Sequence, residues 1–239
     1  MRTDVVAMHI SNGIIDIPVS AIAGLAAAAM VALCVARARA DLDDRLAPMA
    51  GLVAAFIFAV QMLNFPVLPG VSGHLLGGAL AAILVGPWVG ALCVALVLVV
   101  QAVLFADGGL TAVGLNILNM GVVGTFVAYG LVAVLLRVLP RNHTGIVVTA
   151  FVTAIVSVVA ASQAFVLEYA LGGTADLPIV GIAGTMAGFH LLIGVGEGLI
   201  TAVTVGTVAK VRPDLVYALR HRRQPLVLAT QAPAIGDAA

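Results

Sequence analysis

The chain has 239 residues, 62% of them hydrophobic and 9% charged, with eleven basic and eleven acidic side chains and a mean hydropathy of +1.19. A soluble domain is about half apolar and about a quarter charged, so no water-soluble fold hides this surface, and the bilayer is the solvent for most of the chain. The zero net charge brings no basic patch interleaved with aromatics, so nothing here addresses a nucleic acid. Gly numbers 26 and aromatics make up 5%. Small residues let membrane helices approach closely, which favours an all-α helix bundle. The segments do not alternate polar and apolar residues as the strands of a membrane barrel do. Cys34 and Cys93 each lie inside an apolar run and read as packing residues.

A spanning helix needs about 20 mostly apolar residues. In chain order, seven segments are expected to span, roughly 17–36, 48–65, 72–86, 87–105, 113–139, 146–170 and 186–209. The third and fourth are short and meet at Gly86-Pro87, where a tight turn is the natural reading because Pro starts or breaks helices. The alternative is one long kinked span and six in all. Arg37, Arg39 and Arg45 follow the first span, Arg137 and Arg141 the fifth, and Lys210, Arg212, Arg220, Arg222 and Arg223 the seventh. Seven spans put all of these on one side, and the positive-inside rule makes that side cytoplasmic. The N-terminus is then outside and the C-terminus inside a multi-pass protein of the cell (plasma or inner) membrane. The first span has its basic residues after the apolar run, unlike a cleaved signal sequence. From about Arg212 the chain turns polar and Pro-bearing, and residues 212–239 read as a disordered cytoplasmic tail.

This topology gathers a particular set of residues on the outer face. The N-terminal segment brings Met8, His9, Asn12 and Asp16; the loop after the second span brings Asn64, Ser72 and His74. The loop after the fourth span brings Asp107, Asn116 and Asn119, and the last outer loop brings Asp176 and, at the mouth of the seventh span, His190. His is the commonest neutral-nitrogen metal ligand, so three of them on one face point toward a metal ion. His143 and His221 fall in basic segments on the other side and read as solvated loop residues.

Four stretches carry a family resemblance. They are Met8-His9-Ile10 with Gly13; Gly70-Val71-Ser72-Gly73-His74-Leu75-Leu76-Gly77-Gly78; Phe105-Ala106-Asp107-Gly108-Gly109-Leu110-Thr111 with Asn116-Ile117-Leu118-Asn119-Met120-Gly121; and His190-Leu191-Leu192-Ile193-Gly194-Val195-Gly196-Glu197-Gly198. In order, and covering roughly residues 8–210, they resemble the cobalt/nickel substrate-binding (S) component of energy-coupling-factor transporters, the CbiM/NikM type. The resemblance implies Ni(II) or Co(II) as a transported substrate, no prosthetic group and no catalytic residue. It implies partners too: a membrane coupling (T) protein, two ABC-type ATPase subunits and a small accessory membrane subunit. It further implies a square-planar site of four nitrogens, three from the Met-His start of the chain and one from a second His. In this sequence those ligands map to Met8, His9 and His74.

The chemistry of such a start is direct. An amine and the next amide nitrogen close a five-membered chelate ring, and that amide with Nδ1 of its own imidazole closes a six-membered one. The three nitrogens are nearly coplanar and leave one in-plane position for a second imidazole. Planar nitrogen donors suit Ni(II) or Cu(II) better than zinc, which prefers a tetrahedron. This chain departs from the pattern by carrying Met1-Arg2-Thr3-Asp4-Val5-Val6-Ala7 ahead of Met8. The expectation is that residues 1–7 are a start-site extension, that the functional N-terminus is Met8, and that residues 8–211 form a single membrane domain.

Other polar residues are placed by their depth. Glu197 falls two turns after His190 on the same helical face, as i and i+7 do, and reads either as a carboxylate supporting the metal ligands or ion path, or as an interhelical hydrogen bond. Asn64, Ser72, Asp107, Asn116, Asn119, His190 and Glu197 are thus the candidate supporting or ion-path residues. Gln61, Gln101 and Gln163 read as bundle glue and Glu168 as interfacial, while Asp107-Gly108-Gly109 reads first as a tight turn. The chain has no G-x-x-x-x-G-K-[ST] phosphate loop, and Lys210 is its only Lys, so it cannot hydrolyse ATP by that route. If transport is active, the energy comes from other subunits, which the resemblance supplies. Two rival readings stand beside this one. Gly70-Val71-Ser72-Gly73 also fits the G-x-S-G motif of rhomboid-type intramembrane serine proteases, with Ser72 as nucleophile and His190 as base; the other rival is a passive cation channel.

Overall fold

Inside a bilayer the backbone has no partner but itself, so long apolar runs become helices. The computed structural model of the protein describes residues 9–42, 46–62, 65–68, 71–140 and 142–222, with backbone alone at 65–68, 71–73 and 221–222. α1 (Ile17–Asp41) starts at Asp16, whose carboxylate accepts from the Val19 N–H at 2.9 Å while Pro18 sits in the first turn. α2 (Leu46–Gln61) follows, then a short antiparallel hairpin of β1 (Phe65–Leu68) and β2 (Val71–Gly73), then α3 (Gly78–Val85) and α4 (Pro87–Leu104). The segment Leu110–Val138 is one apolar rod of changing pitch. It opens as a 3₁₀ turn (Leu110–Ala112), continues as α5 (Val113–Asn116), widens into a π-helix (Ile117–Gly124) and ends as α6 (Thr125–Val138). α7 (His143–Gly172) and α8 (Ile179–Val211) complete the bundle.

Among the described residues five helical segments are long and apolar enough to cross a membrane: α1, α4, Leu110–Val138, α7 and α8. The fourth, sixth and seventh expected spans correspond to α4, α7 and α8, with α8 starting seven residues before the expected 186. The expected third span, 72–86, is corrected. Its first residues form β2 and an extended loop, and only eight residues make a helix. Gly77 stands at φ +83, and a Cβ on Gly78 would lie 2.9 Å from the Gly124 backbone. Every residue of α3 is buried, so its apolar character serves the protein interior and not lipid. α2, at 16 residues, also falls short of the spanning length.

The turn at Gly86-Pro87 is present. Gly86 adopts φ +86 and ψ 172, and Pro87 opens α4. Tyr217 packs onto it: a Cβ on Gly86 would lie 2.8 Å from the ring. Two 3₁₀ turns, Pro213–Leu215 and Tyr217–Arg222, follow α8, with Val216 buried between them and Tyr217 buried at the start of the second. These turns occupy residues 213–222, the start of the segment expected as a disordered tail, and Val216 and Tyr217 pack beneath α3. Residues 223–239 lie outside the described residues. His143 is likewise no loop residue; it is the first residue of α7, and its Nε2 donates to the Gly206 carbonyl at 2.9 Å, locking α7 to α8. At this same end Arg37 stacks over Trp88, 5.6 Å from the ring centre.

The N-terminal segment seals the opposite end. On one side Asp16 N–H donates to Gly172 (2.7 Å) and Thr174 N–H to Ile14 (3.1 Å), while Ile15 bridges Gly173. On the other side Gly109 N–H donates to Ile10 (2.9 Å), and Asn12 Oδ1 accepts from both the N–H and the hydroxyl of Thr111. Residues 9–16 are thereby laid across the bundle between the α4–α5 connection and the α7–α8 turn.

Candidate metal centre

His9 is the first described residue, and the stitching just described drives it inward until its side chain is 1% exposed. The turn beneath it makes room. Ala106 and Gly108 take positive φ (+53 and +88), and a Cβ on Gly108 would lie 2.9 Å from the Cβ of His9. Asn116, at the junction of α5 and the π-helix, accepts the Ile10 N–H at 3.1 Å and so fixes the backbone next to His9. Asp107 Oδ1 lies 3.3 Å from His9 Nδ1, without the alignment of a hydrogen bond. Nε2 of His9 has no hydrogen-bond partner among the described residues either. A buried polar nitrogen without a partner costs about 1–3 kcal/mol, an outlay that a bound cation would offset.

His74 comes to the same place from the other side of the bundle. Its ring centre is 4.7 Å from that of His9, with the planes at 53°. Its Nδ1 lies 2.9 Å from the Leu75 carbonyl, which can only accept, so Nδ1 carries the proton and the lone pair is on Nε2. Two imidazoles bound cis to one ion through metal–nitrogen bonds of about 2 Å have ring centres roughly 4–5 Å apart. The observed pair has that spacing.

The loop carrying His74 is held by buried side chains. Glu197 of α8 accepts the Leu76 N–H at 2.6 Å through one carboxylate oxygen and the Gly77 N–H at 3.1 Å through the other. Gln61 at the end of α2 donates to the Leu76 carbonyl at 2.8 Å. Gln61 was expected only as bundle glue; its burial beside a backbone turn three residues from a His is not visible in a linear sequence. Glu197, expected either as a supporting carboxylate or as an interhelical hydrogen bond, thus bonds the backbone of the loop that carries His74.

A cavity of about 250 Å³ adjoins the pair. His9, His74, Asn116, Asn119 and His190 all line it. Asn119, buried in the π-helix, donates to Glu168, half-buried near the end of α7, at 2.7 Å. His190 donates from Nδ1 to the Met186 carbonyl at 2.9 Å, one turn earlier in α8. The structure thus brings His9, His74, Asp107 and Asn116 into one cluster, sets Asn119 and His190 along the adjoining cavity, and places Glu197 behind the loop. Met8 and Asn64 lie outside the described residues, as does the side chain of Ser72, on which the protease alternative depends. Among the described residues no three His, Cys, Asp or Glu side chains form a metal-holding group.

Residues 9–215 match the family model described as the cobalt uptake substrate-specific transmembrane region, CbiM. The chain belongs to that family. Among curated proteins it is 38% identical over 212 residues to one from Haloquadratum walsbyi, provisionally named a metal transport protein; the match covers 88% of this chain and 94% of that one. It is 30% identical to the cobalt transport protein CbiM of Sorangium cellulosum, over 89% of this chain and 96% of the relative. With the fused nickel transport protein NikMN of Rhodobacter capsulatus it shares 32% identity, over 91% of this chain and 65% of that longer protein. A crystal structure of a truncated transition metal transporter superimposes with a TM-score of 0.76 at 28% identity, covering 85% of this chain and 99% of that one. The four sequence stretches quoted above all fall within or at the edge of the region that the family model matches.

Proposed function

We propose that this CbiM-family chain is the substrate-specific membrane component of an ATP-driven, energy-coupling-factor uptake system for Ni(II) or Co(II). Its ion site is formed by the amine of Met8, the amide nitrogen of His9, which gives up its proton to solvent as the ion binds, the imidazole of His9 and the imidazole of His74. The observation that carries this is the buried His9–His74 pair, 4.7 Å apart. One imidazole has its lone pair directed to Nε2 by a backbone carbonyl, and the other makes no hydrogen bond from either ring nitrogen among the described residues. The clusters of relatives named for cobalt and for nickel support the choice of ion. In the structure His9 turns Nδ1 toward Asp107. Chelation through Nδ1 therefore sets the Asp107 carboxylate beside the ion as a counter-charge.

The chain starts functionally at Met8, with residues 1–7 absent from the mature protein, because the chelate needs a free amine next to His9. Its N-terminus is outside and its C-terminus cytoplasmic in the cell membrane, so the ion is taken from the outer side. A coupling membrane protein, two ATPase subunits and a small accessory membrane protein supply the energy. The test is a native mass spectrum of the C-terminally tagged protein expressed from its own start region, paired with a visible spectrum after nickel addition. The expected result is a chain beginning at Met8 that holds one ion and shows the yellow band of planar nickel. A chain that binds neither nickel nor cobalt overturns the assignment.

A further inference from the structure

We infer that His190 is a transit ligand for the ion, a station in the cavity beside the His9–His74 pair that holds the partly hydrated ion before or after it occupies the nitrogen plane. This rests on the site reading above. Three observations carry it. First, one cavity of about 250 Å³ is lined by His9, His74 and His190 together, with the thioethers of Met120 and Met186 beside them. At about 30 Å³ of liquid volume per water, an ion with six waters needs roughly 180 Å³, so the cavity admits a hydrated ion.

Second, His190 is built to coordinate. Its Nδ1 donates to the Met186 carbonyl at 2.9 Å, which leaves the lone pair on Nε2 and fixes the ring against its own helix. Third, His190 is the one imidazole of the lining outside the pair: Asn116, Asn119, Ser162, Met120 and Met186 offer only amide, hydroxyl and thioether donors, and the remaining residues are apolar. An ion crossing such a space exchanges its waters with little help, and an imidazole within it replaces one water and lowers the barrier to shedding the rest. Because His190 does not belong to the final nitrogen plane, it changes how fast the ion arrives and leaves without changing where the equilibrium lies.

The experiment uses the full chain in detergent, nickel chloride as the probe, and stopped-flow absorbance at the planar-nickel band. His190→Ala and His190→Leu are compared with the wild type, each with its melting temperature. The expected result is association and dissociation both slowed by the same factor, on the order of tenfold, with unchanged Kd and an unchanged band in both variants. Rates equal to wild type in both variants overturn the inference. So does a weaker Kd with faster dissociation, which would make His190 a ligand or a support of the final site. If the wild type itself shows no planar band, the reading of the site fails and the inference falls with it, an outcome distinct from the other two.

Discussion

Glu197 shows how a buried side chain can hold the loop of a proposed ligand from behind. A carboxylate accepting two adjacent backbone N–H groups turns the loop Leu76–Gly77 into a fixed shelf for His74. Supporting contacts of this kind are worth about 10–100-fold in metal affinity. Glu197→Ala is therefore expected to weaken nickel binding by roughly that factor, measured by spectroscopic titration, while the planar band keeps its position. On the proposed site His74→Ala would remove a ligand, and the band itself is expected to vanish. Gly108→Ala tests the turn under His9. The new methyl group would press on the His9 Cβ at a backbone angle of φ +88 that favours glycine, so a lowered affinity together with a lowered ligand-free melting temperature is expected. The His residues were legible in the sequence through their motifs and the topology. The hold of Gln61 on Leu76, and the choice between the two roles of Glu197, were not, because 15 and 121 residues separate those partners along the chain.

At the scale of elements, apolar length was a good guide where a helix meets lipid and a poor one where it meets protein. α4, α7 and α8 stand close to their expected places because lipid demands about 20 apolar residues of each. α3 misled the count since a wholly buried helix is as apolar as a span but has no membrane thickness to match. The π-helix at Ile117–Gly124 was not legible either, as a wider turn leaves no compositional mark; such bulges frequently lie at functional sites, and this one sets Asn119 against Glu168. The Gly86 turn was read correctly from Gly-Pro, and its geometry yields a prediction. At φ +86 and ψ 172 it occupies a region open essentially only to glycine, and Tyr217 covers it. Gly86→Ala is expected to destabilise the protein by about 1–3 kcal/mol, read as a lowered melting temperature, with nickel affinity retained because the site is at the other end of the bundle.

For the whole molecule, α8 joins the two ends. At about 1.5 Å per residue its 33 residues run for roughly 50 Å. Midway along, Glu197 grips the His74 loop; near the far end Gly206 accepts from His143. The purified chain is expected to bind one ion without nucleotide and to hydrolyse none, with uptake into vesicles appearing only when the ATPase and coupling subunits are added; uptake by the chain alone would favour the passive channel. The grip of Glu197 has a thermodynamic corollary. Free-energy coupling between two sites is reciprocal, so if tilting α8 loosens the loop and expels the ion, then the ion, by tightening the loop, stiffens α8 to the same extent. A partner holding the end near Val211 would thereby sense occupancy mechanically, and could distinguish a loaded chain from an empty one without touching the metal.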